Sequence, residues 1–195
     1  TILKLQSTDP NNTGDTPINV LVDNCKFEWC ETALSLEAAV SCSFNDIRIQ
    51  NALYGVFLTG GACLENSFLR PNILAGQNAV KFARYTLTPD AGGGQVPQGN
   101  YFVNGTIVLQ YGDELRSNGG YSDATIDADC AAIQGNCAFD YAFSNCWIEN
   151  NIKATGSSKD RLGFAIDFVQ SYNKAYLGAM RFTGCKIIGT KVRVS

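Results

Sequence analysis

Phe143-Ser144-Asn145-Cys146-Trp147-Ile148 is one copy of a phrase that runs along the chain: apolar, any, Asn/Asp/Gly, small or sulfur-bearing, any, apolar. Other copies read Val22-Asp23-Asn24-Cys25-Lys26-Phe27, Phe44-Asn45-Asp46-Ile47-Arg48-Ile49, Leu64-Glu65-Asn66-Ser67-Phe68-Leu69 and Phe182-Thr183-Gly184-Cys185-Lys186-Ile187. Self-similarity at about twenty residues is the signature of a solenoid. Each repeat is too small to bury its own apolar face, so repeats must stack.

A second element follows each phrase by roughly a dozen residues: a small residue, then apolar-any-apolar. Its copies are Ala33-Leu34-Ser35-Leu36, Gly55-Val56-Phe57-Leu58, Ala79-Val80-Lys81-Phe82, Ala165-Ile166-Asp167-Phe168 and Lys191-Val192-Arg193-Val194. Alternation of period two marks half-buried strands and not helices. A third short strand is expected at Ala39-Val40-Ser41-Cys42. The fold class predicted is therefore all-β, a single-stranded parallel β-helix. Leucine-rich repeats share the period, but their Leu-rich frame is absent. Val103-Asn104-Gly105-Thr106-Ile107-Val108 and, more loosely, Tyr121-Ser122-Asp123-Ala124-Thr125-Ile126 complete the series. The sum is about seven coils at ~4.8 Å each, a rod on the order of 30 Å long.

Residues 86–100 and 150–161 break the period and are expected as loops inserted on the surface of one β-helix unit spanning 1–195. Ile2-Leu3-Lys4-Leu5 reads as the second strand of a preceding coil, and Val192 to Ser195 as a strand with nothing after it. Solenoid ends need polar caps, so the expectation is a fragment of a longer chain, or ends covered by neighbours.

The 195 residues carry a net charge of −3, with Lys and Arg scattered, which argues against nucleic acid as a partner. No run of eighteen apolar residues is present, so membrane insertion is not expected. Of the 8 cysteines, Cys25, Cys146 and Cys185 share a repeat position that holds Ile47, Ser67 and Ala124 in other copies. Exchange with Ile and Ala marks small buried groups, so most of the thiols are expected to be free and inert. A pairing of Cys130 with Cys137 stays open. Without CxxC spacing or any His, no metal site is expected, and no cofactor either. Asp127, Asp129 and Asp140 form an acidic loop without the EF-hand pattern.

Zero histidines exclude Ser-His-Asp and Cys-His catalysis and leave carboxylate, Lys, Arg or Tyr chemistry. The expected outward columns are Lys26, Arg48, Phe68, Ile107, Thr125, Trp147 and Lys186; Asp23, Asn45, Glu65, Asn104, Ser122, Ser144 and Thr183; and Ser35, Phe57, Lys81, Asp167 and Arg193. Val22, Phe44, Leu64, Phe143 and Phe182 form the expected interior file. Exposed Phe57, Phe68 and Trp147 have two readings: contact with another chain or loop, or a platform on which a sugar ring stacks. Lys26 and Arg48 join them as ligand-binding candidates. As carboxylate pairs, Asp23 and Glu65 would stand two coils apart, about 9–10 Å, at the edge of the inverting-glycosidase range of about 6.5–9.5 Å. Glu149 and Asp167 form a second pair within one coil.

The stretches starting at Val22 (VDNCKFEW), Phe44 (FNDIRIQN), Leu64 (LENSFLRP), Phe143 (FSNCWIEN) and Phe182 (FTGCKIIG), each followed by a short alternating strand, resemble the right-handed β-helix of pectate-lyase-like proteins. Within that superfamily the scattered cysteines and long insertions resemble bacteriophage tailspikes and tail fibres. The resemblance implies a homotrimer in the virion tail, joined to other tail proteins, that binds host surface polysaccharide. Many such proteins also cleave it with Asp and Glu, so a hydrolase or lyase is the first alternative and a structural spacer of a fibre the second. The likeness spans Val22 through Val194 but is architectural. No catalytic residue carries over, and the paired calcium-binding Asp residues with a downstream Arg base are not found.

Overall fold

The computed structural model describes residues 1–6, 16–60, 63–83, 97–110, 130–135, 140–152, 163–168, 180–189 and 192–194. Among these, every regular element is a strand. The first is β1 (Leu3–Leu5), followed by β2 (Leu21–Asp23), β3 (Lys26–Leu36) and β4 (Ala39–Val40). The next pass holds β5 (Ser43–Asn45), β6 (Arg48–Thr59) and β7 (Cys63–Leu64), and then come β8 (Ser67–Leu69) and β9 (Asn72–Ala83). Later passes hold β10 (Tyr101–Val103), β11 (Thr106–Leu109) and β12 (Ala131–Gly135), then β13 (Tyr141–Ser144), β14 (Trp147–Asn150) and β15 (Phe164–Phe168). The last contains β16 (Met180–Thr183), β17 (Lys186–Ile188) and β18 (Val192–Val194).

These strands form three sheets, all paired in parallel. A long sheet runs β1-β3-β6-β9-β11-β14-β17, with β12 joining β9 to β15 and β15 pairing β18. A short sheet runs β2-β5-β8-β10-β13-β16, and β4 pairs β7 in a third. Each pass of the chain adds a strand to the long and short sheets in the same order, an arrangement consistent with a parallel β-solenoid.

Two residues link each short-sheet strand to the long sheet, and the first is always left-handed. Asn24 (φ 49°), Asp46 (51°), Arg70 (51°), Asn104 (55°), Asn145 (53°) and Gly184 (64°) occupy that position in the six passes. Asn, Asp and Gly tolerate this region, which explains the third letter of the phrase. Arg70 does not fit the rule. Its guanidinium is held by the Asp46 carboxylate of the previous pass, Nε donating to Oδ1 at 2.7 Å, and that contact lowers the pKa of Asp46. A second left-handed file, Asn19, Ser41, Glu65, Gly99 and Asp140, turns the chain into the short sheet.

This geometry corrects the third copy of the phrase. Its true frame is Phe68-Leu69-Arg70-Pro71-Asn72-Ile73, because β8 pairs Phe68 with both Phe44 and Phe102. Asn66 mimics the turn residue four positions too early. The copy at Val103 slips by one: Phe102 leads it, Asn104 is the turn residue, and a Cβ on Gly105 would lie 2.7 Å from Pro71 Cγ. A one-residue slip exchanges the two faces of a strand. Hence Ile107, expected outside, is 0 % exposed, and Phe68, which leads the copy once its four-residue misframing is corrected, is 0 % exposed as well. Leu64 leaves the interior file for β7, where it pairs with Val40. The shared cysteine position holds Cys25, Ile47, Pro71, Gly105, Cys146 and Cys185; Ser67 does not belong to it, and Ala124 lies outside the described residues.

The corrected interior file reads Val22, Phe44, Phe68, Phe102, Phe143 and Phe182. Its five rings stack with centroids 4.8, 4.4, 5.0 and 5.1 Å apart and planes within 13° of parallel. The spacing is that of neighbouring strands, so one periodicity serves backbone hydrogen bonds and ring contact together. Beside the rings runs a buried polar ladder. Asn66 Oδ1 accepts from the Cys42 N–H at 3.0 Å, Asn66 Nδ2 donates to Asn100 Oδ1 at 2.9 Å, and Tyr141 Oη donates to the Pro97 carbonyl at 2.7 Å.

Among the described residues the short sheet has six strands and the long-sheet path seven, against about seven coils expected. β10 and β13 are direct neighbours, and β12 pairs directly with β9. The weak copy at Tyr121 falls within residues 111–129, between β11 and β12, and lies outside the described residues. The described ends of the two expected insertions join the regular structure. Gln98 pairs with Leu64, Asn100 is fully buried, and Asn150 closes β14. Residues 86–96 and 153–161 are outside the description.

Phe102→Ala removes the central ring of the stack and is expected to cost about 3–5 kcal/mol. Half-buried Phe182→Ala should cost clearly less, as measured by urea unfolding of both variants. Asn66→Ala takes the side-chain partner from the Cys42 N–H and the Ala39 carbonyl, while Asn100 Oδ1 keeps the Asn66 backbone N–H, for an expected loss of about 1–3 kcal/mol in the same assay.

Candidate functional site: the outer face of the long sheet

The first halves of the long-sheet strands bring six outward side chains into register: Lys26, Arg48, Asn72, Thr106, Trp147 and Lys186. Inward neighbours on either side (Phe27, Ile49, Ile73, Ile107, Ile148) hold these strands to the core. Of the ligand-binding candidates, Lys26, Arg48 and Trp147 thus share one file. Phe68 is excluded by its burial, since its ring is inside the aromatic stack.

Local contacts set what each side chain offers. Lys26 Nζ lies 2.7 Å from Glu28 Oε1. Trp147 is 39 % exposed; its Nε1 donates to Glu149 Oε2 at 2.7 Å, and Lys186 Nζ sits 4.1 Å from the ring centroid. One face of this indole is therefore occupied by a cation, and a sugar would use the other or displace the lysine. Arg48 is exposed and makes no ion pair among the described residues. The Asn72 side-chain carbonyl is buried without a hydrogen-bond partner.

The second halves of the strands place Ser35, Phe57, Lys81, Gln134 and Asp167 in another file, as their alternation predicts. Its exposure differs from expectation: Ser35 and Asp167 are buried, while Phe57 and Lys81 are half-buried. Phe57 and Lys81 line an open hollow of about 160 Å³ with Thr32 and Tyr54, and Lys81 Nζ stands 5.7 Å from the Tyr54 ring centroid. Sequence reasoning missed Thr32 and Tyr54, although their in-register pairing follows from extending each strand back from Ala33 and Gly55. Trp29, 50 % exposed with φ 57°, was missed as well.

The carboxylate pairs do not assemble. Asp23 belongs to the file of Asn45, Leu69 and Val103, whereas Glu65 is a left-handed turn residue beside Ser41 and Gly99. Glu149 is engaged by the indole of Trp147 and Asp167 is buried, so neither offers an open pair. No group of three or more His, Cys, Asp or Glu side chains among the described residues could hold a metal ion. Asp140, the one described member of the acidic loop, pairs with Arg181 at 2.7 Å. Among the described residues no helix is long and apolar enough to cross a membrane.

Cys25, Cys30, Cys42, Cys63, Cys146 and Cys185 are free thiols; Cys137 lies outside the described residues. Cys146 and Cys185 each donate to the carbonyl of the stacked phenylalanine one pass earlier, Phe102 at 3.4 Å and Phe143 at 3.2 Å. Burial pushes the thiols of Cys30, Cys42, Cys63 and Cys146 above their ordinary pKa, Cys63 furthest. A thiol kept protonated is a poor nucleophile. Cys63 and Cys146 should therefore resist a disulfide reagent at mildly alkaline pH in the native protein and react on unfolding, as counted by thiol release. Fast native labelling of Cys63 would contradict its enclosure.

Comparison with protein-family models, curated proteins and solved structures found no match to the chain.

Proposed function

We propose that this chain is a segment of a right-handed, single-stranded parallel β-helix of the bacteriophage tailspike or tail-fibre kind, and that it recognises host cell-surface polysaccharide. The observation that carries the reading is the in-register file Lys26–Arg48–Asn72–Thr106–Trp147–Lys186 on one sheet face. Cations, an amide, a hydroxyl and an exposed indole follow one another at the strand interval of ~4.8 Å. A polymer of repeating rings can meet such a file at several points at once, gaining affinity from contacts that are each weak. The hollow at Tyr54 and Phe57 adds a second aromatic surface on the same sheet.

Homotrimeric assembly, attachment to other tail proteins and a place in the virion tail rest on the family resemblance. Binding is favoured over hydrolysis or elimination by the state of the four candidate carboxylates: Asp23 and Glu65 lie in different files, Glu149 is hydrogen-bonded to Trp147, and Asp167 is buried.

The test is retention of bacterial capsular and O-chain polysaccharides by the purified chain. Trp147→Ala is expected to weaken retention about tenfold with the thermal midpoint unchanged and no oligosaccharide released by either protein. Failure of the unaltered protein to retain any polysaccharide would refute the reading, and release of oligosaccharide would turn it toward an enzyme.

A further inference from the structure

Resting on the glycan reading above, we infer that the polymer is acidic and that Arg48 takes its carboxylate, so the ligand class is a uronate- or sialate-bearing polysaccharide. Three observations meet at this residue. First, Lys26 and Arg48 stand directly opposite one another on neighbouring parallel strands. Like charges at that separation are destabilising and persist in folds where something else is gained. Second, the nearby carboxylates are already engaged: Glu28 with Lys26, and Asp46 with Arg70. Arg48 is exposed, and no ion pair neutralises it among the described residues. Third, its other neighbour in the file is Asn72 and its neighbour along the strand is Gln50, both neutral hydrogen-bonding side chains.

A guanidinium without a carboxylate presents a planar fork of donors, which matches a carboxylate in two parallel hydrogen bonds. Asn72 and Thr106 then lie between Arg48 and Trp147 in the same file. Three strand intervals, about 14 Å, separate the charge-reading end from the aromatic end. A glycan laid along this file places a carboxylate at Arg48 and, a few sugars on, a ring face at Trp147. Neutral glycans leave the Arg48 fork unanswered; a phosphate or sulfate can also take two of its donors, so the sulfated arm of the array separates these anions from a carboxylate.

The experiment is a glycan array carrying neutral, uronate-bearing, sialate-bearing and sulfated glycans, probed with the unaltered chain, Arg48→Gln and Arg48→Lys. The expected result is binding confined to carboxylate-bearing glycans. Arg48→Gln should weaken it roughly ten- to a hundredfold, and Arg48→Lys should weaken it by less. Loss of the like-charge contact with Lys26 should leave the thermal midpoint of Arg48→Gln equal or raised, which a structural arginine would not show. Binding to neutral or sulfated glycans, or acidic binding that Arg48→Gln leaves intact, overturns the inference while glycan recognition stands. Silence of the whole array overturns both.

Discussion

The constraint on which the rest of the molecule depends is a left-handed residue at the same place in every pass. With Asn24, Asp46, Arg70, Asn104, Asn145 and Gly184 all at φ between 49° and 64°, the chain leaves the short sheet and enters the long one by the same path each time. Register is then not negotiable locally. A slip of one residue would move a β-branched or bulky side chain into a region it adopts only at a cost of about 1–2 kcal/mol. It would also turn an interior ring out to solvent. Backbone geometry and side-chain alternation therefore select the same pairing, the agreement between levels that gives a sequence one fold.

Once register is fixed, the interior becomes one-dimensional, and whatever sits at a given position meets its own kind a strand away. Phenylalanine profits most, since four successive pairs stack with centroids between 4.4 and 5.1 Å. Asparagine profits as well: Asn66 and Asn100 satisfy one another and the backbone around them where a single buried amide would be costly. Thiols fit beside both, being small, weakly polar and able to donate to the carbonyl one pass earlier. Asn78, like Asn72 in the outer file, departs from this. Its buried Oδ1 has no hydrogen-bond partner, which sets it apart from the ladder of Asn66 and Asn100.

Legibility from sequence followed the same line. The parallel all-β architecture and the file Ser35–Phe57–Lys81–Asp167 could be read because small-apolar-any-apolar admits only one phase. The phrase, expected as one strand, instead spans the turn between two sheets, and the second element ends the same long strand in β3, β6 and β9. The phrase was read correctly wherever the turn position holds Asn, Asp or Gly next to an unambiguous flank, as in the copies at Val22, Phe44, Phe143 and Phe182. It failed at Arg70, where an ion pair with Asp46 replaces the usual turn chemistry and Asn66 supplies a decoy. It failed again at Asn104-Gly105, where two residues suited to φ > 0 stand side by side and only the close approach of Pro71 selects between them. Those two slips misplaced Phe68, Ile107 and Leu64, and Phe68 left the surface site for the core. The burial of Asp167 and Ser35 was not readable by any local rule, because alternation gives the direction of a side chain and not what covers it.

Periodicity also governs the outer surface, though there nothing forces it to be uniform. Inside, each file must hold side chains that fill its space or leave a gap in the packing. Outside, the file beginning at Lys26 changes character at nearly every step: ammonium, guanidinium, amide, hydroxyl, indole, ammonium. The flanking positions also vary: Glu28 pairs with Gln50, and beyond an irregularity in the β6–β9 register Leu74, buried Val108, Glu149 and Ile188 follow one another. A purely structural face would be served by any solubilising set, and opposing like charges at Lys26 and Arg48 would be among the poorer choices. A face that reads a linear polymer needs the reverse, a fixed spacing with a different chemistry at each step. The rigid interior supplies the spacing and the free exterior supplies the differences, so polymer recognition as proposed above depends on the backbone register that the stacked rings hold.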